Sequence, residues 1–229
     1  MTLVTYTERV VNIVLRAVFR AVCRMDVSDL QKLPRRGPAI LMSNHTTNIE
    51  GPAYYLFIQP RPATALGKRE LWDNPVTRFF MNLWGIIPVS RGQVDRTALR
   101  AAFRALDDGK YLGIAPEGTR SATGVLRSAQ PGIAMLASKR RVPIYPVVHW
   151  GFLNLGRNLR RVRRTRVTIR VGRPFRVRAE RGAQLSANDL RAITDEMMYQ
   201  LATILPPRFR GDYADAGRRE PRYLEFLDA

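Results

Sequence analysis

The sequence predicts an α/β fold: a sheet with helices on both faces, preceded by an amphipathic helix. Three observations predict it. Short apolar runs alternate with stretches of helical periodicity. Most of the runs are apolar, as strands covered on both faces are, while Arg166 to Val171 alternates like a strand with one wet face. Several of them end in polar clusters, where loops at strand ends build sites in such sheets.

The chain has 229 residues, enough for one domain and a short appendage, and 45% of them are apolar, which excludes global disorder. One cysteine and two histidines exclude an internal disulfide framework and a Cys/His zinc cluster. The elements follow in order. Residues 10–23 are mostly apolar, but Arg16 and Arg20 interrupt them, so the segment falls short of a membrane span. Arg9, Asn12, Arg16, Arg20 and Arg24 recur in steps of three and four, one stripe of an otherwise greasy helix. That pattern fits a helix lying in a membrane interface with its arginines toward phosphates, or one packed on its own domain. Strands are predicted at 39–42, 63–66, 85–89, 111–115, 144–149 and 166–171. Helices are predicted from about Asn48 through Phe57, with Pro52 in the first turn, and at 75–84, 95–107, 131–140 and 186–204. Ser186 with Asp189 forms a capping box for the last of these. The tail from Pro206 is polar, Pro-rich and expected to be loosely held.

The net charge is +19, which calls for an anionic partner: nucleic acid, anionic lipid, or an acidic protein. Eleven arginines crowd residues 157–181. They suit headgroups or an acidic carrier protein; the alternative is a solvated basic face. No recognised nucleic-acid motif is present and aromatics do not interleave with the basic run, so no specific nucleic-acid partner is expected.

Chemistry concentrates in four clusters. His45 and Glu50 are five residues apart across a strand-to-helix turn, so the carboxylate can orient the imidazole as a general base. Thr47 and Glu50 are equally spaced as a capping box, and that reading stays open. Ser90-Arg91-Gly92 and Pro116-Glu117-Gly118-Thr119-Arg120 offer backbone amides, hydroxyls and guanidinium groups to an anion. Val142 to Val147 is a strand bracketed by prolines. His149 reads as structural, and Cys23 as an inert apolar residue within the first helix.

In this order and spacing the clusters resemble the glycerophospholipid acyltransferase superfamily, in particular PlsC-like lysophosphatidic acid acyltransferases. His45 to Glu50 matches its histidine–aspartate block, Gly85 to Arg91 its second, Glu117 to Arg120 its third, and the proline-flanked strand its fourth. Gly67-Lys68-Arg69-Glu70-Leu71 resembles a further family segment. The match spans roughly residues 37–175.

The resemblance implies a mixed, mostly parallel sheet flanked by helices. The N-terminal helix, residues 1–30, would dock peripherally on the cytoplasmic face of the cell membrane, on anionic lipids. The acyltransferase domain would span 31–205 and the tail 206–229. It implies that His45, oriented by Glu50, deprotonates the hydroxyl of lysophosphatidic acid. The hydroxyl then attacks a thioester of CoA or acyl carrier protein, giving phosphatidic acid with no covalent acyl-enzyme. Lys68, Arg91, Glu117, Gly118, Thr119 and Arg120 would hold the acceptor phosphate, with no metal and no cofactor beyond the acyl donor. Glycerol 3-phosphate or another lysophospholipid is the alternative acceptor. Two departures stand out: Glu50 replaces the usual aspartate, and Gln130 stands where a lysine is common. The first supports a rival reading, a lipid-binding relative without catalysis.

Overall fold

A computed structural model describes residues 3–90, 95–178, 184–216 and 220–228. Strand β2 (Ala39–Ser43) is central, hydrogen-bonded to β5 (Tyr111–Ile114) on one side and β6 (Ile144–Trp150) on the other, parallel to both. Beyond β5 lie β3 (Ala63–Lys68) and β4 (Ile87–Val89), also parallel. Beyond β6 lies β7 (Thr165–Val171), antiparallel, and then the edge strand β1 (Cys23–Asp26), parallel to β7. Strand β8 (Phe175–Val177) pairs with β6 and with β9 (Leu224–Phe226). The sheet is mixed and mostly parallel, as the alternation of elements required.

The period of two in β2 explains its position. Ile40 and Met42 enter the core under α4 (Arg96–Asp107), α5 (Gly132–Arg140) and α7 (Ala187–Ile204). Ala39 and Leu41 enter the opposite core with Leu30, Leu33 and Tyr145. Burial of each such aliphatic side chain contributes about 1.5–3 kcal/mol. Asp95 caps α4 through the amides of Thr97 and Ala98, and Ser186 with Asp189 makes the predicted capping box on α7. Between β6 and β7 lies the short α6 (Leu155–Leu159).

Helix α1 (Leu3–Val22) packs beside α2 (Glu50–Ile58) and α3 (Pro75–Leu83), and its polar stripe behaves differently from expectation. Asn12 is buried, its Oδ1 accepting from Trp84 Nε1 at 3.0 Å, and Arg16 donates to the carbonyl of Leu56 at 2.8 Å. The stripe thus turns partly inward, because the protein supplies partners for it. The apolar side turns outward: Tyr6, Val10, Ile13, Val14 and Val18 are exposed, as are Val76 and Phe79 on α3. No helix among the described residues is long and apolar enough to cross a membrane.

Two further expectations are corrected, and three strands were not foreseen. Cys23 is not in the first helix but opens β1, where it is fully buried. Strands β1, β8 and β9 are too short to show a periodicity. The described part of the tail is not loosely held: Tyr213 and Leu224 sit in the main core, and β9 extends the sheet.

Candidate active site

Because β2, β3, β4, β5 and β6 are mutually parallel, their C-terminal ends share one edge of the sheet. The loop after β2 carries Asn44 to Ile49 and the loop after β5 carries Pro116 to Arg120. Side chains far apart in sequence meet there for topological reasons.

The central contact is His45 Nδ1 to Glu50 Oε1, at 2.5 Å. Glu50 begins α2, so its carboxylate points back over the turn that leads into the helix. The same oxygen accepts the amides of Thr46 at 3.0 Å and Thr47 at 3.1 Å. Oε2 accepts the Thr47 amide at 2.9 Å and the Thr47 hydroxyl. The carboxylate therefore does both jobs the spacing allowed: it binds the amides ahead of the helix and holds the imidazole. Burial pushes its pKa up, but the hydrogen bonds from His45 and Thr47 win and hold it at about 2. An ionised carboxylate at Nδ1 fixes that nitrogen as the donor and leaves Nε2 as the acceptor. The ring is 22% exposed and Glu50 only 4%, so a base faces solvent while its partner does not. The extra methylene of glutamate is accommodated by this backward reach.

The main chain of His45 is held as firmly. Its N–H donates to Glu117 Oε1 at 2.9 Å, and its carbonyl accepts from the Ser121 amide at 2.8 Å. Glu117 Oε2 accepts the Arg127 amide at 3.1 Å. Burial pushes the Glu117 carboxyl up to about 7, against the two amides that favour its anion. Glu117 was expected among the groups that hold the acceptor phosphate. That placement is corrected: the carboxylate is buried and ties the β5 loop to the β2 loop.

Thr119 and Arg120 are exposed at the same loop, and Gly118 has φ +65°, a left-handed conformation that glycine adopts without strain. Lys68 ends β3, level with Val89 on β4. Arg69 donates from Nε to Ser90 Oγ at 3.2 Å, closing the neighbouring strand ends together. Arg91 lies outside the described residues. Gln130 is exposed, its amide bonded to the Pro116 carbonyl at 2.8 Å.

A second, buried layer supports the dyad. Asn44 bonds both the carbonyl and the amide of His149 at 3.0 Å, continuing the β2–β6 pairing by a side chain. His149 Nε2 meets the Thr46 hydroxyl and Nδ1 the Tyr54 hydroxyl, each at 2.9 Å. Burial lowers the His149 pKa to about 4, so this ring is neutral near pH 7. The expectation that His149 is structural agrees with this geometry. The roles of Asn44, Thr46 and Tyr54 were not foreseen. Their signal was a buried histidine, which needs a partner at each nitrogen.

Residues 24–150, just over half of the chain, match the sequence profile of the Acyltransferase family. The chain belongs to that family. Its relatives include the 1-acyl-sn-glycerol-3-phosphate acyltransferase of Borreliella burgdorferi, 29% identical over 124 residues, which cover 53% of this chain and 49% of that one. The human 1-acyl-sn-glycerol-3-phosphate acyltransferase beta is 29% identical over 133 residues, covering 56% of this chain and 47% of its own. The chain spans about half the length of the curated relatives it matches. The crystal structure of the 1-acyl-sn-glycerophosphate acyltransferase PlsC from Thermotoga maritima superposes with a TM-score of 0.63 at 21% identity, over 95% of this chain and 82% of that one. The acyltransferase fold is therefore shared; the His45–Glu50 and Glu117–Arg120 blocks follow the C-terminal ends of β2 and β5 at one edge of its sheet, whereas Val142 to Val147 enters and forms the first half of the central strand β6.

Proposed function

We propose that this acyltransferase moves a fatty acyl group from a thioester of CoA or acyl carrier protein to the free hydroxyl of lysophosphatidic acid, giving phosphatidic acid. The observation that carries the reading is the buried, ionised Glu50 at 2.5 Å from Nδ1 of the partly exposed His45. The names of the relatives supply the acceptor.

Nε2 of His45 takes the hydroxyl proton as the oxygen attacks the thioester carbonyl. The new C–O bond forms, the C–S bond breaks, and the proton passes from His45 to the leaving thiolate. Glu50 stabilises the imidazolium between those two transfers. Lys68, Arg91, Gly118, Thr119 and Arg120 hold the acceptor phosphate by charge, backbone amides and hydroxyl. Glu117 positions His45 rather than touching substrate. The exposed apolar side of α1 rests in the membrane interface, which brings the site to its lipid substrate. A lipid-binding relative without catalysis would not need an imidazole held in one tautomer with a free acceptor nitrogen.

The test uses purified protein, wild type and His45→Ala, with labelled acyl-CoA or acyl carrier protein and lysophosphatidic acid in detergent micelles. Wild type yields phosphatidic acid, and the variant loses at least about 100-fold. No product with either donor sinks the acceptor assignment. A variant as active as wild type sinks the mechanism.

A further inference from the structure

Where α1 passes directly into β1, a cleft of about 720 Å³ runs around the sheet edge, lined by residues of α1, β1, α2 and β7. Its volume lies within the range of clefts that take small ligands, about 300–1,000 Å³. Five arginines line it, Arg20, Arg24, Arg164, Arg166 and Arg170, against one carboxylate, Asp26. None of these belongs to the site built around His45.

The arginines divide by what they already do. Arg164 donates to the carbonyls of Arg20 and Cys23 at 2.5 and 2.9 Å, satisfying the end of α1. Arg170 is paired with Asp26 at 2.5 Å, which uses the only acid in the cleft. Arg20 stands over the Phe57 ring, 5.8 Å from its centroid, which leaves Arg24 and Arg166. They are exposed and stand level with one another on adjacent parallel strands. No carboxylate of the described residues pairs with either. Like charges placed side by side across a strand pair destabilise it. Folding gains nothing from this pair, whereas two guanidinium forks facing one opening match the oxygens of a phosphate.

We infer that the Arg24–Arg166 cleft is a binding site for the phosphate of an anionic phospholipid headgroup. Two features select a lipid over free phosphate or a protein. The cleft follows directly on the end of α1, whose exposed Ile13, Val14 and Val18 form an apolar face. A helix lying in the interface sinks that face about 5–10 Å below the headgroups, so arginines just past its end meet the phosphate level. Finally, with Asp26 already paired, the cleft offers no acid to a choline or ethanolamine ammonium. It therefore favours headgroups of net negative charge.

The test is vesicle sedimentation without donor or acceptor, so its failure leaves the acyl-transfer reading untouched. The probes are phosphatidylcholine vesicles with and without added phosphatidylglycerol. Wild type binds the mixed vesicles more tightly. Arg24→Gln/Arg166→Gln weakens that binding by about 30-fold, about fivefold per arginine near the surface. Arg100→Gln/Arg104→Gln, an equal charge change on exposed positions of α4, which packs on β3, β4 and β5 at the other end of the sheet, weakens it by less than about threefold because it is remote from the cleft. Equal losses in the two variants would overturn the site and leave only net charge. Competition by inorganic phosphate as strong as by short-chain phosphatidylglycerol overturns the lipid assignment. So does retained vesicle binding together with lost binding to acyl carrier protein. Hydrogen exchange on wild type needs no variant to fold: phosphatidylglycerol vesicles slow exchange at residues 23–26 and 164–168. Unchanged exchange there also overturns the site.

Discussion

Replacing Glu50 by glutamine removes one charge and almost no volume. The carboxylate receives His45 Nδ1, the amides of Thr46 and Thr47, and the Thr47 hydroxyl on its two oxygens. An amide can present only one oxygen to these donors, and its NH2 must face at least one of them. The preference of this environment for the anion lowers the carboxyl pKa from 4.5 to about 2 in spite of burial, which is worth about 3 kcal/mol. If the imidazolium of the transition state draws on that preference, kcat in Glu50→Gln falls by about 100-fold or more. The KM for acceptor changes little, by less than about threefold, because Glu50 is buried away from it. The assay is initial rate against acceptor concentration at saturating donor, with circular dichroism to confirm folding. A folded variant within about fivefold of wild-type kcat would refute the reasoning. The sign of the stability effect gives a second check. A depressed carboxyl stabilises the fold above its ordinary 4.5, and the contribution is lost as pH falls through about 2. The gap in melting temperature between wild type and variant must close over that window.

Glu117 acts in the opposite sense. Its carboxyl is raised from 4.5 to about 7, so its contribution to stability is lost as pH rises through that interval, by at most about 3 kcal/mol. Urea melts of Glu117→Gln should show that slope removed, with a general loss of about 1–3 kcal/mol for the unmatched amide. Thr46→Val strands one nitrogen of the buried His149, and should cost about 1–3 kcal/mol in the same melts; a neutral result would show that this layer does not support the loop. Ile13→Ser/Val14→Ser should weaken binding to vesicles by about tenfold or more through lost apolar contact, with thermal stability held, since both side chains are exposed. Unchanged vesicle binding would remove α1 from the membrane surface.

The sequence makes some of this legible and not the rest, for physical reasons. Strands such as β2 and β6 are buried on both faces and announce themselves as apolar runs, whereas β7 beside β6 shows itself by alternation, with Arg166 exposed and Arg170 half-buried. His45 and Glu50 are legible because their partnership is local, closed by one turn. Glu117 was visible as a residue but not as a role. Its partners are main-chain amides of His45 and Arg127, and a main-chain donor leaves no trace in residue type. The inward turn of Asn12 depends on Trp84, 72 residues away, so no periodicity within α1 could reveal it. Strand β9 forms only because β8 offers it an edge, which is a property of the assembled sheet.

The fastening of His45 on either side of its peptide has a consequence for how the protein fails. Its N–H is held by a side chain rooted after β5 and its carbonyl by an amide of the same loop, while Asn44 beside it is clamped to β6. The base can leave its place only if the middle of the sheet separates. The amides of His45 and Ser121 therefore belong to the same cooperative unit as the central strands and exchange with solvent only through near-global opening. Heat inactivation should track unfolding of the whole domain, without an earlier loss confined to the site. The exposed Thr119 and Arg120 stand outside this clamp, so the acceptor side of the site can change in evolution without loosening the proton-transfer side.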